Sequence, residues 1–348
     1  MKASFVSSSA MQATLRLTVS QAQSKLIEAS TEATTGTYAD IGVSLGSGAA
    51  KSVSLTSAIS QAAAFQASNA VVSLRMDASQ TALASMQDAG DSLVSNLTAL
   101  QSSQDSTSVA VALQAATDTL SQLVSTSNTA VNGEFLFGGT NVDSQPLTDQ
   151  SAAVSDTIVT ALGDYATSLG KQVNELTGDE IGSFITDTVE PMFSESAWTD
   201  PTSGWSTASS TDMTSRISGS ETVTSSTNAN SEGMRYLALA SVVVSALVGQ
   251  DIGADAQSTV VSQAITYAAK GTSSLVTQQS QLGLSQERVE KANDALDAQS
   301  SLLQGSLSDL QGVDVYDAST LVNQLQSQLE TAYTLVAKLQ SLSLVNYL

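Results

Sequence analysis

Asp317–Gln340 reads DASTLVNQLQSQLETAYTLVAKLQ. Its apolar residues Val322, Leu325, Leu329, Ala332, Val336 and Leu339 follow one another at steps of 3, 4, 3, 4 and 3. That alternation draws one narrow stripe down an α-helix, and a stripe so narrow needs a partner helix along its whole length. A matching stripe lies near the other end of the chain, at Met11, Leu15, Val19, Ala22, Leu26, Ala29 and Ala33. The economical solution pairs the two ends side by side and loops the middle of the chain out beyond them.

Working inward, the 348-residue chain has only 3 prolines, Pro146, Pro191 and Pro201, all central. A proline inside a helix costs about 3 kcal/mol, so the proline-free arms permit long helices. Leu83, Met86, Gly90, Leu93, Leu97 and Leu100 form one further stripe, and Val109, Leu113, Ala116, Leu120 and Leu123 another. Between them QSSQDSTS is a turn, with Asp105 or Ser106 as the N-cap of the next helix. Val261, Ala264, Ala268 and Leu275 belong to one helix of the second arm, and Val289, Ala292, Leu296 and Leu303 continue its pattern. Leu237–Val248 (LALASVVVSALV) is too short to span a bilayer and reads as a buried helix. Asp317 is placed to cap the final helix.

The centre has another texture. Fourteen acidic residues lie between Asp143 and Glu232, against Lys171 and Arg216 as the only bases. Thr177-Gly178-Asp179-Glu180 is a capping box that opens a helix over Ile181–Val189. Trp198 and Trp205 flank Pro201 in a loop rich in Gly, Ser and Thr, and Met213–Thr227 reads as a hairpin turning near Gly219. The expected fold is therefore mainly α: an antiparallel helical rod formed by both chain ends, with a small α+β domain inserted between them. Residues 1–36 and 313–348 are the two halves of an inner coiled coil, 37–139 and 233–312 the halves of a rod, and 140–232 the outer domain. Such an insert is expected to be exposed, tolerant of change and dispensable for folding of the rod.

Composition narrows the function. The net charge is −21, yet only 13% of residues are charged, so the polar surface is chiefly Ser, Thr, Gln and Asn. Uncharged polar faces suit a protein whose surface is later covered by copies of itself, and the acidic balance disfavours nucleic acid as a partner. The chain has neither cysteine nor histidine, which removes thiol chemistry, the commonest metal ligand and the commonest general base. The N-terminal MKASFVSSSAMQATLRLTVS lacks the apolar core of a cleavable signal, and no stretch suggests membrane insertion.

Three features could be read as chemistry. Gly46–Ser52 (GSGAAKS) lacks the glycine before Lys51 that a phosphate loop needs, and no strand leads into it. Asp179 with Glu180, and Glu287 with Glu290, are carboxylate pairs. The capping box accounts for the first, and helical spacing beside Arg288 and Lys291 gives the second the look of a solvated face. Asn96-Leu97-Thr98 matches a glycosylation sequon but lies on a helical stripe. The expectation is a non-enzyme without metal or cofactor.

The inner stripes read as an ordinary intramolecular core. The terminal ones do not, because the sequence ends LSLVNYL, five of its seven residues apolar, where chain ends are usually polar. Burial between subunits is expected there. The candidate self-association residues are Met11, Leu15, Val19, Leu26, Val322, Leu325, Leu329, Val336, Leu339, Leu342, Leu344 and Leu348.

Three segments carry a family resemblance. Leu26–Gly36 (LIEASTEATTG) ends a helix in a Thr-Gly turn; Asn132–Thr140 (NGEFLFGGT) is followed by Pro146-Leu147; and Val313–Ala318 (VDVYDA) leads into the last helix. Together they resemble the flagellin superfamily, and within it the hook-associated proteins of the hook–filament junction. Asn132–Thr140 is the most specific, being similar to the segment where those chains leave the rod for the outer domain. The turn after Gly36 differs from the family in lacking its basic residues. The resemblance implies a structural subunit of the bacterial flagellum. It would be exported without a cleavable signal through the flagellar type III apparatus with a chaperone, and be extracellular thereafter. Its partners would be copies of itself in a ring, a neighbouring hook-associated protein and flagellin. Two alternatives are a filament subunit of the same superfamily and a secreted coiled-coil binding module.

Overall fold

The computed structural model describes residues 8–103 and 105–345. Its helices, in chain order, are α1 (Ser8–Thr35), α2 (Ile41–Leu45), α3 (Ala49–Ser102), α4 (Ser106–Ser127), α5 (Ser151–Ser168), α6 (Gly178–Phe184), α7 (Glu195–Trp198), α8 (Glu232–Leu247), α9 (Ala254–Gln311) and α10 (Val315–Val345). Strands β1 (Ala130–Val131) and β2 (Glu134–Phe135) form one antiparallel ladder, β3 (Thr214–Arg216) and β4 (Thr222–Thr224) another. The fold is mainly α, with long helices at both ends packed on each other. Contacts divide the chain into two units, residues 1–64 with 295–348, and residues 65–294. α3 and α9 each contribute to both. The five-part scheme read from sequence thus meets a division that falls inside the two longest helices.

In the first unit α1 packs along α10. Both helices break at one level. Gly36 ends α1 at φ 71°, a left-handed conformation that glycine adopts without steric cost. The Tyr38 amide donates to the Gln311 carbonyl at 3.0 Å, and the Val313 amide to that of Gly36 at 3.0 Å. Two of the three segments carrying the resemblance are therefore hydrogen-bonded to each other. The cap of α10 is Asp314, not Asp317: its Oδ1 accepts from the Tyr316 amide at 2.8 Å. The helix begins at Val315, so Asp317 falls inside its first turn, where it helps the dipole without capping. Asp105 caps α4, accepting from the Thr107 and Ser108 amides.

The second unit is built around α8, whose residues from Leu237 to Val244 are all fully enclosed. At roughly 1.5–3 kcal/mol for each large apolar side chain removed from water, this helix is a principal source of the unit's stability. It packs against α4 and α5 and comes close to α9 at Gly271, where an added Cβ would lie 2.9 Å from the Leu237 amide nitrogen. A larger side chain there would force the helices apart.

The expectation of an exposed centre is corrected by this core. Leu147, Ile158, Leu162, Phe184, Ile185, Trp198 and Trp205 share one continuous cluster with Leu83, Leu93, Leu97 and Leu100 of α3 and the apolar residues of α8. The two indoles stack at 5.3 Å and 8°, inside rather than in an exposed loop. The Trp198 Nε1–H donates to the Ala229 carbonyl at 3.0 Å, satisfying the polar group that burial would otherwise strand.

Candidate self-association surface

The heptad stripe puts Ala22, Leu26 and Ala29 on one side of α1, and Ala318, Val322, Leu325 and Leu329 on one side of α10. The pairing turns these sides inward. Ala29, Leu325 and Leu329 are buried; Leu15, Val19, Leu26, Val322 and Val336 are half-buried; Met11 is exposed. The Gln23 Nε2–H donates to the Tyr333 hydroxyl at 2.6 Å across the pair. Leu339, Leu342 and Leu344 lie on the described backbone of α10, with their side chains outside the described residues, and Leu348 lies outside them altogether.

A second apolar set is turned outward. Leu17 is 60% exposed, Ile27 68% and Leu335 48%. Leu321 is also exposed and stands two heptads before Leu335, on the same side of the helix. A pair of helices cannot cover both its inner stripe and these groups, so the surface is apolar on the inside and on the outside. The heptad stripe marks the inner face and passes over the outer set, although the repeat of Leu321 and Leu335 in one register is visible in the sequence.

The segment Asn132–Thr140 lies in the second unit. Asn132 and Gly133 adopt φ 55° and 86°, the tight two-residue turn that joins β1 to β2. Leu136 and Phe137 are fully buried beyond it. The mostly buried Arg75 guanidinium pairs with the Glu134 carboxylate at 2.7 Å and donates to the Phe135 carbonyl at 2.6 Å, tying the turn to α3.

One carboxylate of each pair has a structural partner. Glu180 completes the capping box with Thr177, and the Lys171 ammonium lies on its carboxylate at 2.5 Å. Bonding to Lys171 and to the Thr177 amide holds its pKa down at about 2. A depressed folded pKa stabilises above the unfolded value near 4.5 and loses that contribution as pH falls toward 2. The wild type should therefore out-melt Glu180→Gln at pH 6, with the gap closing between pH 4.5 and 2; a pH-independent gap would contradict this linkage. Glu287 pairs with Lys291 at 2.6 Å, one helical turn away on an exposed face. Among the described residues no group of three potential ligating side chains could hold a metal, and no helix is long and apolar enough to cross a membrane.

No protein of curated function matches the chain. A solved structure described as a flagellar hook-associated protein from Vibrio parahaemolyticus shares the fold, with a TM-score of 0.53 at 11% identity over 76% of this chain and 97% of that one. The bacterial flagellin N-terminal helical region matches residues 6–142, and the C-terminal helical region matches residues 262–348. These two regions take in both terminal helices, all of α3 and most of α9, more than half of the sequence, and the chain belongs to the flagellin family as a structural subunit of the bacterial flagellum.

Proposed function

We propose that the protein joins hook to filament, assembling through its terminal helices into a ring of copies. The observation that carries self-assembly is the apolar set left exposed outside the α1–α10 pair, together with an inner stripe that the pair closes only in part. Most of the 33 acidic residues fall in 65–294 rather than in the terminal unit, so the helices that would pack together carry little mutual repulsion. Leu15, Val19, Leu26, Val322, Leu325, Leu329 and Val336 hold the pair in register. Met11, Leu339, Leu342, Leu344 and Leu348 then extend the contact toward neighbouring copies. The junction assignment rests on the likeness of Asn132–Thr140 and Pro146-Leu147 to the corresponding segment of junction proteins. In that role the subunit touches a second hook-associated protein and flagellin, and reaches its extracellular site by type III export with a chaperone.

Immunogold labelling of intact flagella separates the readings. A single band between hook and filament is the expected result. Label along the whole filament would make the protein a filament subunit. Label in the medium and none on flagella would leave a secreted coiled-coil module.

A further inference from the structure

The β3–β4 hairpin is held apart from the main core. Its Ile217 and Val223 join Met76 of α3 and Leu282, Val289 and Ala292 of α9 in a separate small cluster. Polar contacts fasten the same hairpin to both helices. The Asn69 Nδ2–H donates to the Ile217 carbonyl at 3.0 Å and to Asn293 Oδ1 at 2.7 Å, so one side chain links α3, the hairpin and α9. From α9 the Arg288 guanidinium donates to Glu221 at 2.9 Å and to the Thr222 carbonyl at 3.2 Å. All these contacts lie within residues 65–294, and Asn69 and Asn293 stand beside the residues where that unit's share of α3 and α9 ends.

The fastening is incomplete. A cavity of about 290 Å³ lies at the base of the hairpin, lined among others by Asp212, Thr224, Ser226 and Leu282. Among the described residues, no N–H or O–H donates to the buried Asn69 Oδ1. The unpaired amide oxygen costs the hairpin stabilisation that a satisfied one would give.

We propose that this hairpin is a clasp on α3 and α9 that opens as a unit of its own, while the core around α8 stays closed. Opening would uncover Met76, Leu282 and Val289 and remove the Asn69 link between the two helices. A small separate cluster with few buried apolar groups is the kind of region that opens well below the free energy of global unfolding. The clasp thus regulates how firmly the two longest helices are held together at that level, independently of whether copies assemble.

The absence of cysteine provides a clean test, since any introduced thiol is unique. Val289→Cys reports on the clasp, and Val243→Cys, in the fully buried α8 core, reports on global opening. In the full-length monomer under native conditions, the thiol of the clasp variant should react with a disulfide reagent about 100-fold faster than the thiol of the core variant. Its labelling rate should also depend less steeply on urea, because less surface is exposed. Equal rates with equal urea slopes would overturn the proposal. Should either substitution disturb folding, amide exchange of the unsubstituted protein decides. Faster exchange for 214–224 than for 237–247 supports the clasp, and equal protection refutes it. Both measurements use the monomer, so failure of assembly would not touch them.

Discussion

Trp198→Ala is expected to destabilise the 65–294 unit by about 3–5 kcal/mol, the cost of emptying a fully buried aromatic site. The indole contributes more than area. It stacks on Trp205, lies 6.3 Å from the Phe193 ring, and its N–H serves the Ala229 carbonyl, which would be stranded by truncation. Urea unfolding followed by far-ultraviolet circular dichroism measures the loss through the midpoint, with the slope checked for a change in cooperativity. By the same reasoning, replacing residues 146–230 with a flexible linker should cost the α8 core its partners and abolish the cooperative transition. A loss of under about 1 kcal/mol in Trp198→Ala would show that the centre is peripheral after all.

Charging the outward face of the terminal pair should have an opposite profile. Ile27→Glu and Leu335→Glu put carboxylates on exposed sites, so monomer stability should change by no more than about 0.5 kcal/mol. If those sites are buried between copies, each buried charge costs several kcal/mol at every repeat, enough to stop assembly. Leu325→Ala is the counterpart: 6% exposed within the pair, it should lower monomer stability by about 2–5 kcal/mol. Thermal melts of each monomer, with incorporation into flagella in cells lacking the wild-type protein, separate the two effects. Normal incorporation of the doubly charged variant would remove the outward set from the assembly surface.

The pairing of the two chain ends was legible in the residues because heptad spacing is a local property: steps of 3 and 4 draw a stripe whatever surrounds it. A cap at Asp105 or Ser106, the Thr177–Glu180 box and the buried helix after Leu237 were legible for the same reason, each resting on residues within a turn or two. The Asp317 assignment failed by a short distance, since Asp314 and Asp317 are both suitable caps and only the start of the helix chooses between them. The centre was misread for a deeper reason. Trp198 and Trp205 sit among Gly, Ser and Thr, with no periodicity to announce burial. Their partners are each other, Phe193 and the Ala229 carbonyl, an arrangement that only the fold creates. The hairpin was visible as a hairpin, but that Ile217 and Val223 fasten α3 to α9 was not, because Asn69 and Asn293 are far apart in the chain. Local spacing by itself determined which residues form helices and which side of each needs a partner. Tertiary structure alone decided which apolar residues that pairing consumes and which it leaves outside, because burial is a property of neighbours and not of sequence position.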